Sequence, residues 1–385
     1  MPRPGSPEST DVSLLAHFIH ITDRRSTRGR LHPLMSILAI AVCAAICGAD
    51  DWVAVAAWGK AKEDWLGGFL DLPNGIPSHD TFGRVFSIIN PDEFQAAFLS
   101  WIRAMATAID GDVVAIDGKT LRRSFDRLAG CAAIHMVSAW STANGLVIGQ
   151  VKTEEKSNEI TAIPKLLQLL ELKGCLVTID AMGCQKKIAA AIIDKGGDYL
   201  LAVKDNQPRL FKDIKATFDV GLDTNIECFE HDYASTAEAG HGRTEERTAW
   251  VTNDLTGIRD REAWPSITSI TSLAMVEAVR TVGDKTSVFH RFYISSGPGT
   301  NAALTLRAAR SHWAIENKLH WCLDMAFRED ESRIRVGHAA ENMSRLRHIA
   351  LNLLRQEKTA KVGIKTKRMR AGWDNDYLLR VLGVQ

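Results

Sequence analysis

The chain has 385 residues, 45% hydrophobic and 24% charged, with a net charge of +1. That length points to two or three domains with a sizeable core, the composition excludes a disordered or fibrous protein, and the near-neutral balance means that partners must be read from local clusters.

Residues 1–11 are Pro- and Ser-rich, without the apolar stretch of a secretory signal, and are expected to be disordered. Residues 12–107 read as a helical N-terminal domain. Ser78 and Asn90-Pro91-Asp92-Glu93 are good helix starts. Two short helices near 78–104 would suit a helix-turn-helix, but a plain bundle reads more simply. Leu34 to Cys47 is apolar yet too short to span a bilayer, so it reads as a buried helix. Seven cysteines without a CxxC pair fit a reducing cytosol.

At residue 108 the character changes, and 108–224 reads as a mixed sheet flanked by helices. Strands are expected at 113–117, 133–140, 146–152, 175–180 and 199–203, with helices at 159–172 and 185–194. Asn144-Gly145 between two apolar runs is a hairpin signal. Residues 225–300 alternate in the manner of strands and read as a β-rich insertion. Helix resumes over 302–325 and 341–356, and 357–385 reads as a basic tail. The fold class is therefore mixed α/β.

Three acids carry the chemistry. Asp117 and Asp180 each end an apolar run, and Glu316 lies in the helical phrase Ser311-His-Trp-Ala-Ile-Glu-Asn317. A carboxylate at a buried strand end is costly unless compensated. Three of them brought together suit two Mg²⁺ or Mn²⁺ ions, which move phosphodiester oxygens. Taken singly, Asp117 also suits a turn and Asp180 a helix cap. His312, Glu316 and His320 share one helical face, which leaves zinc open as a lesser alternative.

Lys119, Lys204, Asn206, Gln207, Arg243, Arg310, His312, Asn317 and His320 are candidate DNA contacts, with His241 beside Arg243. The clusters Arg24–Arg30 and Arg355–Arg370 read equally well as phosphate contacts or solvated faces. Trp313 and Trp321 read as core, and Trp250 and Trp264 as candidates for stacking a base. An unrelated α/β hydrolase or phosphatase, and a DNA-binding protein without catalysis, stay open at this point.

Taken together the phrases Leu72–Phe82, Ala115–Thr120, Glu155–Ile160, Thr178–Gln185, His312–Asn317, Leu319–Trp321 and Arg328–Asp330 resemble the DDE-type transposases of bacterial insertion sequences, in particular the H-repeat-associated group. The resemblance runs from about residue 12 to the C-terminus. It implies a ribonuclease-H-like core with a β-rich insertion, and Asp117, Asp180 and Glu316 as a metal-binding triad. It implies cut-and-paste chemistry, in which water attacks a terminal phosphodiester and the freed 3′-hydroxyl attacks target DNA. It further implies double-stranded DNA partners (terminal inverted repeats and target), a homodimer at synapsis, no membrane, and a cytoplasmic, nucleoid-associated location. Many broader relatives carry Arg four residues before the last acid and Lys seven after. Here those positions are His312 and Leu323, so the phosphate-gripping roles of that motif, and a hairpin intermediate, are not carried over.

Overall fold

The computed structural model describes residues 14–105, 111–125, 132–154, 158–224, 230–240, 242–259, 264, 270–297 and 299–384. The expected disorder of 1–11, His241, and the start of the expected strand before residue 270 lie outside them.

Six helices open the chain: α1 (Leu14–Phe18), α2 (Leu34–Ile46), α3 (Trp52–Ala61), α4 (Glu63–Gly67), α5 (His79–Ile88) and α6 (Pro91–Met105). Ser78 caps α5 by accepting from the Thr81 N–H, and Asn90 Oδ1 accepts from the Asp92 N–H at 2.9 Å where α6 begins. Helix α2 is apolar on every side and buried from Ser36 to Ile46. Such a helix needs cover all round.

The sheet follows. It comprises β1 (Val113–Thr120), β2 (His135–Ser141), β3 (Leu146–Lys152), β4 (Leu176–Ile179), β5 (Asp198–Val203), β6 (Asp232–Gly240), β7 (Arg243–Thr252), β8 (Ser272–Val282) and β9 (Lys285–Ser295). Its order is β3-β2-β1-β4-β5-β9-β8-β7-β6. Strands β1, β4 and β5 run parallel, and every other neighbouring pair is antiparallel. The β2–β3 hairpin turns at Asn144-Gly145, where Gly145 has φ +65°.

The β-rich stretch is continuous with the rest. Strand β9 pairs antiparallel with β5, so the expected insertion extends the same sheet. Strand β6, rich in Ala, Ser, Thr and Glu and largely exposed, gave no alternating signal.

Helices α7 (Glu159–Leu169), α8 (Lys186–Asp194) and α9 (Pro208–Thr224) connect the strands, and α10 (Ala302–Ala314), α11 (Trp321–Phe327) and α12 (Ala339–Gln356) follow them. Helix α10 lies across one face, where its small residues Ala302, Ala308 and Ala309 pack with Val113, Leu200 and Val276. The opposite face packs with α7, α8 and α12 in the main core. Asn352 of α12 bonds both ways to the backbone of Val147 on edge strand β3, at 3.0 and 2.9 Å. That covers an edge which would otherwise invite another strand.

Two expectations give way here. The segment after 356 is not a tail: α13 (Ile364–Trp373) and α14 (Asn375–Leu382) are packed helices. Lys367 is buried and donates to the Leu354 carbonyl at 2.9 Å, and Arg368 is buried against the Ala45 carbonyl and Asp50. These two cations finish carbonyls and a carboxylate inside the protein. The N-terminal helices also lack a core of their own. Helix α2 packs against α12 and α13, and one apolar core runs from Leu14 to Val381. Trp264 is buried, which ends its reading as a base-stacking residue, and Trp250 packs edge-on against Tyr233. Among the described residues no helix is long and apolar enough to cross a membrane.

Deep in this core His348 of α12 is held with its Nδ1 at 2.7 Å from the Ser344 carbonyl, and burial pulls its pKa from 6.5 down to about 4. Below pH 6.5 the unfolded chain takes up a proton that the folded chain refuses, so stability falls as the pH drops towards 4. His348→Gln should remove this slope. Between pH 6.5 and about pH 5 the wild type should lose about 1.6 kcal/mol more than the variant, measured by urea unfolding at each pH. Equal losses would overturn the assignment.

Candidate active site

Sheet register brings the first two acids together. Ile116 of β1 pairs with Ile179 of parallel β4, so Asp117 and Asp180 are the next residues on neighbouring strands. Alternation puts both on the face that α10 crosses, with Val113, Ala115, Leu176 and Thr178. Asp117 is not at its strand's end, as the sequence suggested, since β1 continues along β2 to Thr120. It is the first residue beyond the β1–β4 pairing.

The third acid arrives from α10. Between Ala314 and Trp321 the helix widens to a π-helical turn, Ile315–His320, with the Trp321 N–H bonded to the Glu316 carbonyl. Such turns interrupt α-helices frequently at functional sites. The extra residue changes the expected single face. His320 is buried, His312 is partly buried, and Glu316 is exposed.

The rings of His312 and His320 stand beside the acids. His320 Nε2 lies 3.3 Å from Asp117 Oδ2, an ion-pair distance. Burial resists ionisation of Asp117, but the adjacent His320 and His312 rings outweigh it and hold the carboxyl below its usual value. Asp180 moves the other way. Burial raises it, the Gly183 N–H pulls it back, and the charges of Glu159 and Asp117 raise it further. Its Oδ1 accepts from the Met182 and Gly183 N–H groups at 3.0 and 3.3 Å, so Asp180 does cap the short turn after its strand. His312 is lowered by burial, against the pull of Asp117, Asp180 and Glu316. The Nδ1 atoms of both His312 and His320 are buried without a hydrogen-bond partner among the described residues.

A further pair was not read from the sequence. Glu159, the first residue of α7, lies 2.7 Å from His135 Nε2, and His135 Nδ1 lies 2.8 Å from Thr120 Oγ1. Both side chains sit over Gly118, where an added Cβ would come within 2.2 Å of Glu159 Oε1. The lack of a side chain at Gly118 is what admits a fourth carboxylate, within electrostatic reach of Asp180. The sequence signal was Asp-Gly itself, read there only as a turn.

The nine candidate DNA contacts scatter. His312 and His320 join the acids, as above. Asn317 donates to the Trp313 carbonyl at 3.2 Å. Lys204 is exposed at the end of β5, while Asn206 and Gln207 donate to the carbonyls of Ala181 and Cys184, tying their loop to the turn after Asp180. Arg310 is paired with Glu238, and Arg243 with Glu245 at 3.1 Å. Lys119 is corrected outright. Its side chain is buried and paired with Asp324, with Glu329 at 2.9 Å and with Asp330 at 3.9 Å. Two residues along the strand, it shares the face of Asp117, and a pocket of acids takes up its ammonium. Trp313 and Trp321, expected in the core, are exposed on either side of Glu316.

Comparison with known proteins follows from this geometry. A model described as DDE_Tnp_1-associated matches residues 15–102, and one described as Transposase DDE domain matches residues 105–353. The chain belongs to the DDE transposase family. The H repeat-associated protein YhhI of Escherichia coli strain K12 is 44% identical over 379 residues, 96% of this chain and 97% of that one. YncI of Escherichia coli O157:H7 is 44% identical over 371 residues, 96% and 94% of the two chains. Both carry the name transposase. Among solved structures, a piggyBac transposase synaptic complex with hairpin DNA is similar at 9% identity and a TM-score of 0.42, covering 96% of this chain and 76% of that one. Membership of the transposase family closes the reading as an unrelated hydrolase.

Within this transposase-family chain, Lys119 couples the site to its support. Lys119→Met leaves the buried Glu329 without its nearest cation and should cost about 3 kcal/mol of unfolding free energy in a denaturant titration. A loss under about 1 kcal/mol would show that Arg347, 3.8 Å from Glu329, suffices alone.

Proposed function

We propose that this chain cuts and rejoins DNA at the ends of an insertion sequence, with Asp117, Asp180 and Glu316 as its catalytic, metal-holding acids. The observation that carries the reading is the placement of Asp117 and Asp180 side by side on parallel strands. Strand order β3-β2-β1-β4-β5 with only β2 reversed against its neighbours is the arrangement on which a ribonuclease-H-like core is proposed.

The donor set fits Mg²⁺ or Mn²⁺. Asp180 carries negative charge that burial and neighbouring acids make costly, and a divalent ion would relieve it. Among the described residues no three His, Cys, Asp or Glu side chains are yet drawn close enough to hold an ion, so Glu316, exposed on its π turn, is the member that has to swing in. Two bound ions would activate the attacking oxygen and neutralise the leaving one.

The chain's own residues do the rest. His320 fixes the Asp117 carboxylate and favours its charged form. The Met182 and Gly183 N–H groups fix Asp180 through Oδ1, which leaves Oδ2 for a ligand. His312 lies within electrostatic reach of all three acids, and its Nδ1 is buried without a hydrogen-bond partner among the described residues. Cut-and-paste transfer, synapsis as a homodimer, and a nucleoid-associated cytoplasmic location belong to this proposal. So does a division of labour in which residues 12–107 serve DNA binding and 108–356 the chemistry.

Asp117→Asn, Asp180→Asn and Glu316→Gln should each lower Mg²⁺- or Mn²⁺-dependent nicking of the element's own terminal repeats by at least about a hundredfold, with duplex binding retained. A variant that nicks at the wild-type rate would remove that acid from the site.

A further inference from the structure

The phrases around Ser78–Phe82 and Arg328–Asp330 are not used by the acids. They meet in a cleft of about 870 Å³, between α5 and the segment 328–338 that leaves the Glu316 helix. Arg84, Arg328, Arg333 and Arg335 line it.

Most acids on its walls are already engaged. Asp50 is paired with Arg368 at 2.7 Å, Glu331 with Arg328, and Asp51 caps α3 through the Ala54 N–H. Asp80 is highly exposed beside His79. Arg84, Arg333 and Arg335 make no ion pair among the described residues, and all three are exposed. Arg123, exposed and likewise without an ion pair, stands within electrostatic reach of Glu331. Arg84, Arg333, Arg335 and nearby Arg123 thus stand against Asp51 and Asp80, which no arginine or lysine pairs among the described residues, and four charges against two leave a positive balance.

The segment that presents these arginines is held at both ends. Arg328 sits at φ +49°, in the left-handed region that non-glycine residues rarely adopt. Gly337, at φ +54°, closes on the Ser87 carbonyl, which an added Cβ would meet at 2.6 Å, and the His338 N–H bonds that same carbonyl at 3.0 Å. The chain also links the cleft to the site. Beyond Asp117 strand β1 leads to Arg122, paired with Asp330 at 3.2 Å, and then to Arg123, while Arg335 donates to the Phe125 carbonyl at 3.4 Å. At about 3.3 Å per residue the path from Asp117 to Arg123 is at most about 20 Å, the length of about six base pairs.

We propose that this cleft is a clamp for the sugar–phosphate backbone of duplex DNA, with Arg84, Arg123, Arg333 and Arg335 gripping the phosphates next to the bond that is cut. The clamp rests on the reading of Asp117 and Asp180 as the cutting site. It recognises charge and shape and adds no sequence preference of its own.

The test uses the full chain and a fluorescein-labelled 30-bp duplex of arbitrary sequence, with EDTA present, by anisotropy across a series of KCl concentrations. Each phosphate contact contributes about −0.9 to the slope of log affinity against log salt. The triple variant R84A/R333A/R335A should lose about 2.7 from that slope, and on the order of a hundredfold in affinity at about 100 mM KCl. R84K/R333K/R335K should keep both, since the charges remain. An alanine triple that binds with the wild-type slope and affinity overturns the clamp, and so does a lysine triple that loses as much as the alanine one. The two readings fail separately. Wild-type nicking with an undiminished alanine triple sinks the clamp alone, whereas a wild type that never nicks while the alanine triple loses binding sinks the cutting site alone.

Discussion

The structure depends on one buried carboxylate. Glu329, directly after the helix that carries the third acid, is closed off from solvent between Lys119 of β1 and Arg347 of α12, with Ser344 also donating to it at 3.3 Å. At an effective dielectric of about 20, a cation 2.9 Å away gains about 6 kcal/mol, and desolvation takes back several kcal/mol for each ion. The sum is near balance, so the net stability gained is small. What the cluster contributes is position. It ties the strand bearing Asp117 to the chain that has just left Glu316, and both to the long helix of the main core.

From that tie the geometry follows. Helix α10 can lie flat on the sheet because its contact residues are alanines, and its widened turn then ends over the place where β1 and β4 part. The sheet provides two acids in fixed register and the helix brings the third on a looser element. Under the proposed function, the site would combine two acids in fixed register with a third carried on an exposed turn.

Much of this was legible in the residues. The apolar runs before Asp117 and Asp180, the Asn144-Gly145 turn and the caps at Ser78 and Asn90 are local signals, and each names a local structure. What escaped has a common cause in long-range pairing. Lys119 looks like a phosphate contact until Glu329, more than two hundred residues later, arrives to neutralise it. Lys367 and Arg368 look like part of a solvated tail until the carbonyls of Leu354 and Ala45 accept from them. Strand β6 carries no apolar alternation because most of it faces water, and the π turn at Glu316 has no sequence signature distinct from an ordinary helix. Glu159 went unread because only the missing side chain of Gly118 brings it near.

The all-round apolar helix α2 has a consequence for how the protein is made. Helices α1 and α3 cover part of it, but the rest is covered by α12 and α13, so about three hundred residues must leave the ribosome before Leu34–Ile46 is fully shielded. At about 5–20 residues per second that takes on the order of tens of seconds, during which the face that α12 and α13 will cover stays open. Messages cut short before the last helices yield chains that cannot hide it, fit for chaperones or proteases.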